Sequence, residues 1–154
     1  YIEIIDRTRE YKQDIAISGD FIVGFPGETD DDFEATLDIV KRVKYAHAYS
    51  FKYSPRPGTP AALKDDQIDE EIKRERLKTL QDLIRQQTRD FNSSFFEKEI
   101  NVLVEKQGLG VNRLTGRSSY LQSVHMDGDP SFIGEIVKAK IIKTRDNSLE
   151  GIIL

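Results

Sequence analysis

The sequence predicts an α/β layer over residues 1–98 followed by a small all-β barrel over residues 99–154, and three features predict it. A nearly charge-free run rich in Ile, Val and Phe, IAISGDFIVGF from Ile15, precedes a helical pattern and a second β-like run, AHAYSFKYS over 46–54. Strand, helix, strand joined by short loops is the crossover unit of a parallel sheet. A long helical periodicity then occupies Asp66 to about Lys98, and from Ile100 it gives way to short β-like runs broken by Gly and Asp. Many short strands separated by such turns indicate a small barrel, so the boundary falls between 96 and 101.

Taken in order, residues 1–14 mix apolar and charged positions, and Ile2, Ile5 and Tyr11 line one side of a possible helix. The Ile15 run has the continuous apolar character of a strand buried on both faces. It ends in the turn signature PGET. Thr29 is placed to cap the next helix, because its hydroxyl accepts from an orphan backbone N–H, and Asp30–Asp32 suit the positive helix end. Phe33, Leu37, Val40 and Val43 recur at helical spacing, and PRPGTP closes the second strand. Two parallel strands leave faces and edges bare, so further strands are expected upstream. In the long helix, Ile68, Ile72, Leu80, Leu83, Ile84, Phe91 and Phe95 are the expected buried positions, with Arg and Lys on the other faces. Its length predicts a bend near Asn92–Ser94. INVLVEKQG, SYLQSVHMD, FIGEIVKAKIIKTRD and SLEGIIL read as strands, with turns at Gly108–Gly110, Thr115–Gly116, Asp127–Pro130 and Asp146–Ser148.

Composition narrows the function classes. Hydrophobic residues at 38% and charged residues at 32% suit a folded globular chain of one average or two small domains. The absence of cysteine removes thiolate zinc sites, nucleophilic thiols and iron–sulfur ligands from these residues, and two histidines, His47 and His125, make a locally built metal centre unexpected. No apolar run is long enough to cross a bilayer, and the charged first residues do not resemble a secretory signal, so a cytoplasmic location and no membrane partner are expected. The net charge of −4 conceals a division, −5 over residues 1–99 and +1 over 100–154. The tail is the part suited to a polyanion. No P-loop, dinucleotide-binding glycine loop, nucleophile elbow or zincin helix occurs.

Two motifs carry a family resemblance. DFIVGFPGET (20–29) and YSPRPGTPAA (53–62) resemble the second half of the radical-SAM barrel in the methylthiotransferase family. NVLVE (101–105), TGRS (115–118), GEIVKAKI (134–141) and SLEG (148–151) resemble the TRAM-like, OB-like barrel that follows it. The resemblance covers essentially the whole chain. It implies the C-terminal portion of a radical-SAM (βα) barrel followed by a TRAM domain, inert by itself. The whole family enzyme would carry two 4Fe–4S clusters and S-adenosyl-L-methionine, with three cysteines in an N-terminal domain and a Cys-x3-Cys-x2-Cys motif in the barrel, none of which lies here. The resemblance favours the branch that adds a methylthio group to C2 of a prenylated adenosine beside the tRNA anticodon. The implied partners are a tRNA anticodon stem-loop and the missing N-terminal half. A sister branch modifies an aspartate on a ribosomal protein; Arg56-Pro57 and the modestly basic tail favour the tRNA branch. A third reading is a non-enzymatic RNA or protein interaction module.

The resemblance places Ile22 and Gly24 beside the adenine of S-adenosyl-L-methionine. The residues themselves also fit a buried strand and tight turn, with Pro26 and Gly27 setting the dihedral angles. Glu28 either holds the turn or lines a cavity, and Asp20 makes a salt bridge or cap or faces substrate. His47, Tyr49, Phe51 and Tyr53 share one strand parity, and such a stripe fits a core better than a nucleobase platform. Arg56 and Thr59 lie in a loop at the C-terminal end of a strand, where barrel sites gather, and are candidate ligand or RNA contacts. In the β domain Arg113, Arg117, Lys138, Lys140, Lys143 and Arg145 could track an RNA backbone, with Tyr120 or Phe132 for stacking. The interleaved Glu105, Asp127, Asp129 and Glu135 fit a solvated face equally. Arg117 is the first choice among them, and His125 is expected to be an ordinary polar residue.

Overall fold

A computed structural model of the chain describes residues 1–154, which form two compact units, Tyr1–Gln87 and Thr88–Leu154. The first contains α1 (Ile2–Tyr11), β1 (Ser18–Val23), α2 (Asp30–Val43), β2 (His47–Lys52) and most of α3 (Glu70–Ser93). β1 and β2 pair in parallel, with Asp20 opposite Tyr49 and Ile22 opposite Phe51. Thr29 and Asp32 make a reciprocal capping box: Asp32 N–H donates to Thr29 Oγ1, and Thr29 N–H donates to Asp32 Oδ2. These bonds to Thr29 hold the Asp32 carboxyl below the usual carboxylate range. At the other end of α2, Arg9 donates to the Val43 carbonyl, which the helix leaves open, while the Val40 carbonyl accepts from both the Lys44 N–H and Gln87 Nε2. One core joins Ile5, Val23, Phe33, Leu37, Val40, Val43, Tyr45, Leu80 and Ile84.

Several expectations for this unit change. β1 is not buried on both faces: Val23 is buried, but Ile22 is 60% exposed. The aromatic stripe is not core either, for Tyr49 and Phe51 are 64% and 56% exposed. The helices cover one face of the two-stranded sheet, the face bearing Phe21 and Val23, and the opposite parity is left open. Tyr11 and Ile72 are exposed as well. In α3 the basic residues do not all face solvent, because Lys73 and Arg76 are buried. The helix ends at Ser93 rather than bending onward.

The second unit is a closed five-stranded barrel of β3 (Glu99–Gln107), β4 (Arg113–Ser118), β5 (Ser123–Asp127), β6 (Ile136–Thr144) and β7 (Ser148–Ile153), in the order β3-β4-β5-β7-β6. The β5–β7 pair is parallel and the rest are antiparallel. Strict alternation sends Val102, Val104, Leu114, Val124, Met126, Ala139, Ile141 and Leu149 inward. Phe91 and Phe95 extend that core from the chain entering the barrel. Asn92, also buried, donates to the Arg145 and Asp146 carbonyls at 3.0 Å each and accepts from Gln122 at 2.8 Å. Thr115–Gly116 is not a turn but the middle of β4. A Cβ on Gly116 would lie 2.3 Å from the Leu103 carbonyl oxygen, so the glycine is there for strand approach.

Candidate functional site

The outward residues of the barrel make a continuous row. Lys106 pairs with Thr115, Thr115 with His125, His125 with Glu150, and Glu150 with Lys143. Thr115 Oγ1 lies 3.2 Å from His125 Nδ1. Glu150 Oε1 accepts from Arg145, at 2.9 Å from Nε, and lies 3.7 Å from Arg113 Nη2. The bond from Arg145 holds the Glu150 carboxyl below its ordinary range. Arg113 also meets Asp127 at 2.9 Å. Around the centre of this row the surface forms an open cleft of about 660 Å³, lined by Lys106, Arg113, Thr115, His125, Arg145 and Glu150 among others.

Of the residues the sequence nominated, Arg113 and Arg145 line this cleft. Arg117 lies on the same outer surface but not on the cleft wall; its guanidinium sits 3.4 Å from Glu105 and donates to the Leu121 carbonyl. Lys138 is paired with Glu99 at 3.0 Å, and Lys140 is exposed opposite that glutamate. Tyr120 packs on Phe95 and Phe91, with ring centroids 4.9 and 6.1 Å away, so its ring is engaged in the core rather than offered for stacking. Lys106, Thr115 and Glu150 were not singled out. Outward strand parity was the available signal, but it needed Arg113–Ser118 to be recognised as a strand.

In the first unit, β1 and β2 present Asp20, Ile22, Tyr49 and Phe51 on the open face. The chain leaves β1 through Gly24 (φ 71°) and Gly27 (φ 86°). Gly24 N–H donates to Glu28 Oε2 at 2.7 Å. A Cβ on Gly24 would lie 2.1 Å from Lys73 Cγ, so the close approach there is made by a lysine stem. Arg76 binds Glu28 Oε2 and Asp30 Oδ1 at 2.6 Å each and donates to the Glu28 carbonyl at 3.1 Å. Burial opposes the Arg76 charge, yet bonds to Asp30 and Glu28 raise its pKa overall. Glu28 therefore holds the turn. Glu70 receives Lys52 at 2.6 Å and also Lys73, which pull its carboxyl down to about 2. Thr59 Oγ1 donates to the Arg56 carbonyl at 2.8 Å, an interaction inside the loop, and the Arg56 side chain is exposed.

No group of three or more His, Cys, Asp or Glu side chains is arranged to hold a metal ion, and no helix is long and apolar enough to cross a membrane. Residues 97–154 match the TRAM domain. Nearly the whole chain is similar to proteins named tRNA-2-methylthio-N(6)-dimethylallyladenosine synthase. Identity is 54% over 151 residues with that of Maricaulis maris (strain MCS10), covering 98% of this chain and 33% of the relative. It is 53% over 153 residues with that of Wolbachia pipientis subsp. Culex pipiens, covering 98% and 35%. With that of Rickettsia rickettsii (strain Sheila Smith) it is 51% over 155 residues, covering 100% and 35%. The chain thus spans about a third of the length of these relatives.

Proposed function

From a chain that carries a TRAM domain and is related along its length to the tRNA-2-methylthio-N(6)-dimethylallyladenosine synthases, we infer one part of a tRNA methylthiotransferase that contributes barrel strands and RNA contacts. In the whole enzyme the reaction adds a methylthio group to C2 of a prenylated adenosine beside the anticodon. The observation that carries this reading is identity above one half across 98% of the chain. The geometry supports it in two ways. The outer row of the barrel carries at its two ends Lys106 and Lys143, cations with no carboxylate within ion-pair distance, which can meet an RNA backbone. The open face of β1 and β2 gathers Ile22, Tyr49 and Phe51, apolar side chains suited to the interior of a larger (βα) barrel.

Two 4Fe–4S clusters and S-adenosyl-L-methionine would supply sulfur and radical chemistry in the whole enzyme. The cysteine-free residues here do not fit as cluster ligands. For S-adenosyl-L-methionine, Ile22 fits as an apolar platform for a flat ring. Gly24 fits poorly, since Lys73 fills the space beside it and Glu28 takes its N–H. Gly24 instead orders the turn that follows Ile22.

The test is fluorescence-anisotropy titration of an anticodon stem-loop carrying prenylated adenosine, at two salt concentrations. Saturable binding that weakens with salt and with a Lys106→Ala/Arg113→Ala double substitution is expected, with a smaller effect from Arg117→Ala. Absence of saturable binding by a folded, monodisperse sample would remove RNA recognition from this chain.

A further inference from the structure

The cleft on the barrel is a poor design for holding a phosphate. Glu150, a carboxylate on its wall, lies in the outward row between His125 and Lys143, where it would repel an anion. The two arginines beside it are already engaged, Arg145 with Glu150 and Arg113 with Asp127 and Glu150. Two β-bulges flank this row. One lies between Val104 and Lys106 opposite Gly116 and Thr115, the other between Ile141 and Lys143 opposite Gly151 and Glu150. Bulges re-aim the side chains beside them, and here a lysine follows each one. The resulting order around the barrel is cation, hydroxyl, imidazole, carboxylate, cation.

Glu150 uses Oε1 for its arginines, while Oε2 makes no hydrogen bond or ion pair. His125 uses Nδ1 towards Thr115, and Nε2 makes none. A free carboxylate oxygen accepts and cannot donate, and ring N–H and ammonium groups nearby can donate. That set complements an exocyclic amine beside a ring acceptor, unlike an imide N–H held between two carbonyl oxygens, which would face the carboxylate. Among RNA components the amine-bearing edges of adenine, cytosine and guanine have this form. At the same position uracil presents O4, an acceptor that would face the carboxylate. RNA is read in this manner where bases are unpaired and splayed out of the stack.

We propose that this cleft binds one unpaired nucleobase by its exocyclic amine, with Glu150 as the acceptor and Lys106 and Lys143 on the flanking phosphates. The inference rests on the RNA-binding reading above and adds the chemical feature that is read. Glu150 stays in place because its arginines orient it, so it discriminates between bases without attracting the backbone. The acceptor is charged and partly shielded, the condition under which loss of a hydrogen-bonding partner is most costly.

The experiment uses the full chain and labelled pentanucleotides U2-X-U2, in which X is adenosine, purine riboside (adenosine without its amine), cytidine or uridine. Binding is expected to be about ten-fold or more tighter for adenosine than for purine riboside, with cytidine tighter than uridine. Glu150→Gln keeps the side-chain shape and an acceptor oxygen but removes the charge, and is expected to erase most of that preference. If E150Q instead tightens every oligonucleotide equally and leaves the preference intact, Glu150 only repels phosphate and the proposal is overturned. Equal binding of adenosine and purine riboside by the unsubstituted chain also overturns it, without any variant having to fold. Binding without amine preference removes this inference alone, whereas binding of none of the oligonucleotides removes the RNA-binding reading with it.

Discussion

Replacing Arg76 by methionine should be the most damaging single change of a charged residue in the first unit. The Arg76 side chain is 8% exposed and Glu28 is 10% exposed, whereas Asp30, its other partner, is 96% exposed. Arg76→Met leaves the Glu28 carboxylate buried with only the Gly24 N–H as a near donor. Removing one partner of a buried pair costs about 3–5 kcal/mol, while a pair to a fully hydrated carboxylate adds little. The expected pattern is therefore a loss of about 3–5 kcal/mol for Arg76→Met, almost none for Asp30→Asn, and partial recovery in Arg76→Met/Glu28→Gln, where no unpaired charge remains. Urea denaturation followed by circular dichroism measures the loss. Hydrogen exchange at Gly24 and Gly27 localises it to the turn, which matters because two units can unfold separately. If Asp30→Asn costs as much as Arg76→Met, or the double variant is no better than the single, the burial-based reasoning is refuted.

Gly116→Ala should destabilise the barrel by about 1–3 kcal/mol, because the added methyl meets the Leu103 backbone rather than a side chain that can turn aside. At about 4–8 °C per kcal/mol for a domain of this size, calorimetry should register a fall of several degrees in the barrel transition; an unchanged transition would mean that β3 and β4 separate freely. Glu70, whose pKa is lowered to about 2 by Lys52 and Lys73, contributes stability above the ordinary value of 4.5 and loses it as pH falls towards 2. Glu70→Gln should flatten that part of the stability–pH curve and shift the plateau above it by a constant amount, and parallel acid limbs for the two proteins would count against the pairing.

What the sequence disclosed was local or periodic. The Thr29–Asp32 cap lies within one helical turn, and the buried set Phe33, Leu37, Val40 and Val43 follows from a single repeat. Barrel strands at 99–107, 136–144 and 148–153 show the two-residue alternation plainly. Position-specific glycines were harder. Gly116 after Thr115 has the composition of a turn, but its role is to admit the Leu103 backbone, a contact set by sheet register. Long-range charge pairing was also hidden, since Arg76 and Glu28 are 48 residues apart and nothing in α3 distinguishes Arg76 from its exposed neighbours. The open sheet face misled for a related reason. A strand of purely apolar composition fits burial on both sides, but α1, α2 and α3 cover only one side of β1 and β2. On the barrel, naming the cations was possible from sequence; deciding which are already neutralised was not.

On the proposed RNA-binding reading, that last distinction sets the salt dependence. Residues 100–154 contain seven Lys and Arg side chains. Arg113, Arg117, Lys138 and Arg145 each have a carboxylate within ion-pair distance, whereas Lys106, Lys140 and Lys143 have none. A phosphate that displaces a protein carboxylate exchanges one anion for another and leaves a carboxylate to be solvated, so paired cations add little to counterion release. With about 0.7 of a counterion released per neutralised phosphate on a single strand, three free lysines predict a slope of log K against log salt of about −2, and seven predict about −5. Binding titrations of a single-stranded RNA over a range of salt concentrations separate these values. A slope near −2 that loses about 0.7 on Lys106→Ala and scarcely changes on Lys138→Ala fits the pairing pattern. A slope near −5 would mean that the ion pairs open on binding and that the carboxylates, Glu150 included, leave the arginines to the phosphates.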